Sequence, residues 1–229
     1  RRSILGLTMK QFIRLNWLYI LLSILFMAGL GWALIVYPKA EMHLWLNACH
    51  TAFLDFFFSH YTAVGEWVPY VVVVGLLFYK AGWSSFLLVD VAVSGLLAQR
   101  LKYVFNTDRP YRWFMDHCPD VQLPLVDGVT LSKWYSFPSG HTTTFFALFF
   151  TLSIVIALSG RNKHPNLWAF ICFVLTILGA YSRIYLSQHF AEDILGGAII
   201  GFFSTCLLYV LVPPLQTTAF WNWRIQKIA

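Results

Sequence analysis

Charge is what this sequence has least of. Aspartate, glutamate, lysine and arginine make up 11% of its 229 residues, against about a quarter in an ordinary water-soluble domain. Such a chain lacks the polar surface that a soluble globule needs, so that class is excluded and the bilayer becomes the expected solvent. Basic runs are missing as well, with no stretch of five Lys or Arg. The formal net charge of +6 therefore speaks for loop asymmetry across a membrane and local anion binding, not for a nucleic-acid partner. The four cysteines, Cys49, Cys118, Cys172 and Cys206, form no CxxC pair and no zinc-ligand spacing. Neither a metal nor another cofactor is expected. Internal repeats and low-complexity segments are absent too, which favours one domain over residues 1–229.

What the chain does have is apolar bulk, 59% of it, and 18% aromatics, suited to the headgroup zone where Trp and Tyr gather. A helix needs about 20 mostly apolar residues to cross the hydrocarbon core. Leu15–Tyr37 runs 23 residues without a charge, longer than the roughly 7–15 apolar residues of a signal peptide, and reads as a retained span. Residues 41–60 are apolar but interrupted by Glu41, His43, His50, Asp55 and His60, as in a helix lying along the interface. Residues 63–79 make a short second span with Glu66 near its outer end. Trp83 to Phe105 is the third, Thr142–Leu158 the fourth, Pro165–Ser182 the fifth and Ile194–Leu211 the sixth, stopped by Pro213-Pro214. The expected fold is all-α: a six-transmembrane-helix bundle with an interfacial helix and an extracytoplasmic loop region between spans three and four.

Lysine and arginine in short loops set the orientation. With six spans, Arg1, Arg2, Lys10, Arg14, Lys80, Arg161, Lys163, Arg224 and Lys227 share one side, nine in all, and Lys39, Arg100, Lys102, Arg109, Arg112, Lys133 and Arg183 share the other, seven. The margin becomes meaningful if some of the seven have a chemical reason to be there. Both termini are then cytoplasmic. The loop from Asn106 to Trp134 falls outside, along with Cys49 and Cys118, which admits a disulfide between them. Asp90, in mid-span, costs roughly 2.5–3.5 kcal/mol to insert; a structural hydrogen bond within the bundle is the preferred account of it.

Three segments fall on that outer face: KYVFNTDRP (residues 102–110), PSGH (138–141) and SRIYLSQHFAED (182–193). Together they supply three cations, Lys102, Arg109 and Arg183. A phosphate offers up to two charges and three acceptor oxygens; an arginine fork matches it and a lysine acts as a point charge. Ser139 and Gly140 stand at a helix opening, where free backbone N–H groups favour an anion. His189 and Asp193, at i and i+4, share a helical face, so the carboxylate can fix the ring and leave its other nitrogen to attack phosphorus. Glu192 points elsewhere on a helix and reads as structural. His141 is then the natural general acid. Tyr111 and Arg112, just after the Arg-Pro, are candidate contacts to a substrate headgroup, and Lys133 and Trp134 weaker ones. His43, His50, His60 and His117 show no metal spacing.

The pattern KxxxxxxRP, PSGH, SRxxxxxHxxxD resembles the three-part signature of the type 2 phosphatidic acid phosphatase superfamily. Every fixed position is matched, with six residues between Lys102 and Arg109 and five between Arg183 and His189. The six-span layout resembles the integral-membrane lipid phosphate phosphatase branch. The resemblance implies a metal-free, two-step hydrolysis: His189 takes the phosphoryl group, His141 protonates the departing oxygen, and Lys102, Arg109, Ser139, Gly140 and Arg183 hold the phosphoryl oxygens. It implies a membrane lipid carrying a terminal phosphate or diphosphate as substrate and partner. A polyprenyl diphosphate, phosphatidylglycerol phosphate or phosphatidic acid ranks ahead of lipid A, and no obligate protein partner is evident. A compact chain of this kind is expected in a bacterial inner membrane with its site on the periplasmic face. A lipid-to-lipid phosphotransferase would use the same residues. A transporter would more often show broken helices near the midplane.

Overall fold

The computed structural model describes residues 9–160, 163–212, 215 and 218–225. All regular structure among them is helical. Arg1, Arg2, Arg161, Lys227 and the Pro213-Pro214 stop lie outside the described residues.

Helix α1 (Met9–Val36) begins ahead of the expected Leu15. The polar start is accommodated because Asn16 is fully buried and gives its amide to the Phe12 carbonyl at 3.1 Å. The expected interfacial helix is two helices, α2 (Lys39–Leu46) and α3 (Ala52–Tyr61). Polar chemistry breaks it. The Thr51 side chain accepts from the Leu54 N–H as an N-cap. The His50 ring bridges Asn47 at 2.7 Å and Asp55 at 2.8 Å. Helix α4 (Val64–Leu77) follows after a short turn and holds 14 residues, about 21 Å at 1.5 Å each, against a hydrocarbon core of about 30 Å. Helices α5 (Ala81–Phe105), α6 (Pro110–His117), α7 (Gly140–Leu158), α8 (Pro165–Tyr185), α9 (Ala191–Leu211) and α10 (Ala219–Asn222) complete the chain. The 106–134 loop is thus not irregular throughout: Pro110 opens a helix in it, at the position where a missing N–H costs nothing.

Five helices, α1, α5, α7, α8 and α9, have the length and hydropathy to cross a membrane. Many outward residues on them are large and apolar, among them Leu25, Ile35, Leu96, Phe203 and Leu207.

Helix α7 lies at the centre, packed on α8, α9, α5, α1 and α4. Phe145, Phe146, Leu148, Phe150 and Ile154 on it are fully buried. Its contact with α9 depends on two glycines spaced four apart: a methyl group at Gly197 would strike the Ser139 carbonyl, and one at Gly201 the Thr143 carbonyl. Small residues at this spacing let helix backbones approach closely. The consequence is positional. The amino ends of α7 and α9 are held side by side, and the Ser139 N–H donates to the Asp193 carbonyl at 2.9 Å. Farther along, Asp90 accepts from Ser204 at 2.7 Å and Thr205 at 2.6 Å, with Thr151 at 3.4 Å. Its buried carboxylate is a helix-to-helix bond, as expected. Cys49 and Cys118 are both free thiols, so the disulfide considered above is not formed.

Candidate active site

The three sequence segments meet at one end of the bundle. Lys102 comes from the last turn of α5, Arg109 caps the start of α6, Gly140 and His141 open α7, Arg183 closes α8 and His189 sits in the turn before α9. All six line one cavity of about 740 Å³.

His189 is 1% exposed. Its Nδ1 lies 3.2 Å from Asp193 Oδ2, on the first turn of α9. The same oxygen accepts from the Phe190 N–H at 2.9 Å and from the Ser136 hydroxyl. A carboxylate so engaged is an acceptor, so it selects the tautomer with hydrogen on Nδ1 and leaves the Nε2 lone pair unprotonated. Burial, and then the charges of Arg109, Lys102 and Arg183, hold the imidazole well below its usual pKa. His189 is neutral near pH 7.

The cations are built in and not merely near. Arg109 donates through Nε to the Trp134 carbonyl at 3.0 Å and through Nη1 to Gln188 Oε1 at 3.0 Å. Lys102, 8% exposed, donates to the Tyr135 carbonyl at 2.8 Å. Arg183 donates to the Thr62 hydroxyl, and its Nε is buried with no hydrogen-bond partner among the described residues. Among the described residues none of the three forms an ion pair with an acid, so their charge is available to an anion.

Ser139 is placed differently from its neighbours. It is fully buried, and its hydroxyl oxygen accepts from the Thr142 N–H at 3.3 Å and the Thr142 hydroxyl at 3.0 Å. Its side chain shapes the amino end of α7, while Gly140 lines the cavity. Tyr111 and Arg112 do not line the cavity. They follow Arg109 onto α6, whose turn carries them away: Tyr111 lines a separate small pocket with Phe114 and Cys118. Arg112 stacks 3.5 Å over the Trp134 ring between Asp108 and Asp116. Lys133 and Trp134 border a neighbouring recess that shares Lys102 and Arg109. Glu192 pairs with Lys39 at 2.7 Å, a structural bond as read.

Four residues of the site escaped sequence reasoning. Ser136 braces Asp193, Gln188 braces Arg109, Thr62 braces Arg183, and Glu66 reaches His141 at 3.0 Å. Only Glu66 carried a signal, an acid on an otherwise apolar helix. Among the described residues, no three His, Cys, Asp or Glu side chains gather as a metal site would require.

The family model described as "PAP2 superfamily" matches residues 83–216, more than half the chain and every residue of the cavity motifs. The chain belongs to the PAP2 superfamily. It is 29% identical over 177 residues to phosphatidylglycerophosphatase B of Bacillus subtilis, covering 73% of this chain and 74% of that protein. It is 31% identical over 170 residues to the lipid A 4'-phosphatase of Porphyromonas gingivalis, covering 71% and 68%. The crystal structure of the first transmembrane PAP2 type phosphatidylglycerolphosphate phosphatase from Bacillus subtilis shares its fold, with a TM-score of 0.62 at 21% identity over 93% of this chain and 100% of that one. This PAP2 chain is an integral membrane protein and a lipid phosphatase.

Proposed function

We propose that this PAP2 phosphatase removes a terminal phosphate from a membrane lipid through a phosphohistidine at His189. The observation that carries the reading is the cavity itself: three cations without acid partners among the described residues and two histidines around one space, with the buried histidine fixed by Asp193. Lys102, Arg109, Arg183 and the opening backbone of α7 at Gly140 hold the phosphoryl oxygens. The Arg183 Nε, buried without a partner among the described residues, is a donor that a bound anion satisfies. His189 Nε2 forms a bond to phosphorus as the ester P–O bond breaks, and His141 gives its proton to the departing alkoxide. Water then attacks the phosphohistidine, His141 takes the water's proton, and inorganic phosphate leaves. Asp193 accepts from Nδ1 and holds the ring in place as the bond to phosphorus forms.

The whole chain acts as one domain. The short α4 makes the sixth crossing beside the five long helices, both termini are cytoplasmic, and the cavity opens at the outer leaflet of a bacterial inner membrane. The excess of Lys and Arg on the opposite side supports this once Lys102, Arg109 and Arg183 are set aside as site residues. The likeness to a phosphatidylglycerophosphatase favours a glycerophosphate headgroup, and the likeness to a lipid A 4'-phosphatase favours a phosphorylated sugar as the second candidate. The test is purified protein in mixed micelles with phosphatidylglycerol phosphate, lipid A, phosphatidic acid or a polyprenyl diphosphate, measuring released phosphate. Release from at least one lipid, abolished by His189→Ala with the fold intact, is expected. Release only when a second lipid is present as acceptor would replace the hydrolase with a phosphotransferase.

A further inference from the structure

The corner between α3 and α4 touches the motif residues three times within five residues. Thr62 accepts from Arg183. Gly65 lies so close to α7 that an added Cβ would meet the Phe145 ring at 2.8 Å and His141 Cδ2 at 3.3 Å. Glu66 then places Oε1 3.0 Å from His141 Nε2, across 75 residues of sequence. An acid in the first turn of a helix is favoured by the helix dipole alone. That account explains neither the contact with the ring nor the glycine that permits it.

We propose that Glu66 is the positioning residue of the proton donor, doing for His141 what Asp193 does for His189. The proposal rests on the phosphohistidine reading above and adds to it a carboxylate outside all three motifs. The other charged and titratable groups around His141 are Lys102 on α5, Arg109 at the start of α6, Arg183 on α8 and His189 in the α8–α9 turn, with His60 of α3 and Asp127 of the long loop also on the cavity wall. Glu66 is the acid that touches the ring. Its carboxylate accepts from Nε2–H and orients the imidazole. Nδ1, which has no hydrogen-bond partner among the described residues, delivers the proton to the leaving oxygen. In the second step the same nitrogen takes a proton from water, which restores the pair.

Leaving-group dependence separates this role from a structural one, because an acid catalyst matters only where the leaving group needs a proton. Purified wild-type protein and the Glu66→Gln and Glu66→Ala variants are assayed in micelles on two phosphomonoesters. One is dioctanoyl phosphatidic acid, whose alkoxide leaves poorly; the other is p-nitrophenyl phosphate, whose phenolate leaves unaided. Both variants are expected to lose about 30-fold in kcat on the phosphatidic acid, a fraction of the roughly 10²–10⁴-fold that a general acid contributes. KM stays nearly unchanged, and kcat on the aryl ester falls less than about threefold. Equal losses on both substrates, a loss confined to KM, or no loss on either would overturn the proposal. His189→Ala is run alongside. If it is inactive while Glu66→Gln fails to discriminate, only the role of Glu66 falls; if His189→Ala stays active, the phosphohistidine reading itself falls.

Discussion

The two histidines of the cavity each hold a carboxylate, in opposite surroundings. The His189–Asp193 side chains are 1% exposed apiece, whereas His141 is 23% and Glu66 61% exposed. The first pair lies in the turn between α8 and α9, clamped by Ser136 and the Phe190 backbone; the second stands at the mouth, between α7 and α4. The difference suits the two tasks proposed for these rings. A nucleophile needs one tautomer, one orientation and no competing proton, which a dry and crowded pocket supplies. A proton donor must meet a leaving group that departs toward lipid or water, and must be recharged after each turnover. Burial fixes one ring, and partial exposure keeps the other exchangeable.

Several substitutions break or sharpen this contrast. The largest effect belongs to the dry pair: His189→Ala should lower kcat by at least roughly 10⁴-fold, since nothing else supplies the nucleophile, with the melting temperature in detergent checking that the fold survives. His141→Ala should cost about 10²–10⁴-fold on alkyl phosphates, measured as phosphate release, and less on an aryl ester. Ser136→Ala removes one of the hydrogen bonds on Asp193. A loss of about tenfold in kcat with unchanged KM is expected from a net hydrogen-bond contribution of about 1–1.5 kcal/mol at the orienting carboxylate.

Gly65→Ala attacks the wet pair through packing. The new methyl runs into the Phe145 ring, and overpacking of this kind costs about 1–3 kcal/mol, read as a lower melting temperature together with weaker activity on alkyl esters. The last effect is on pH. Burial pushes His43 down to about 4, helped by Lys39 and opposed by Asp193. The unfolded chain takes up that proton near pH 6.5 while the folded chain refuses it until about 4. Folding is therefore unpenalised above pH 6.5 and loses up to about 1.4 kcal/mol per pH unit as pH falls through that window. His189 adds a second such group, so His43→Phe should reduce the slope of melting temperature against pH in that range without abolishing it.

The three sequence motifs contain the side chains that the fold brings around one cavity. Lys102, Arg109, Gly140, His141, Arg183, His189 and Asp193 were legible as residue types long before any geometry. The contact of Asp193 with His189 was legible from the i, i+4 spacing, while its bond to the Phe190 N–H at the helix end appears only in the fold. Asp90 was legible too, because a carboxylate in mid-span must find partners. Ser136, Gln188, Thr62 and Glu66 were not, for a common reason. Each acts through a contact 57 or more residues away in the chain, and a lone polar residue in a loop or at a helix end has many bland explanations. Ser139, read as a phosphate ligand because it stands beside Gly140, accepts from Thr142 through its hydroxyl oxygen, which leaves its O–H able to donate. The break between α2 and α3 was hidden for a similar reason: Asn47, His50 and Asp55 read as interruptions of one helix, and only their mutual bonds reveal them as its end.

The most direct test of the account is to catch the phosphoryl group in transit. Wild-type protein mixed with ³²P-labelled phosphatidic acid and quenched within milliseconds should carry label that is stable in base and lost in acid, the behaviour of phosphohistidine. Mass spectrometry should place it on the peptide containing residue 189, and the His189→Ala protein should carry none. Label that survives acid, label on another side chain, or full turnover with no enzyme-bound phosphate at any time would contradict it.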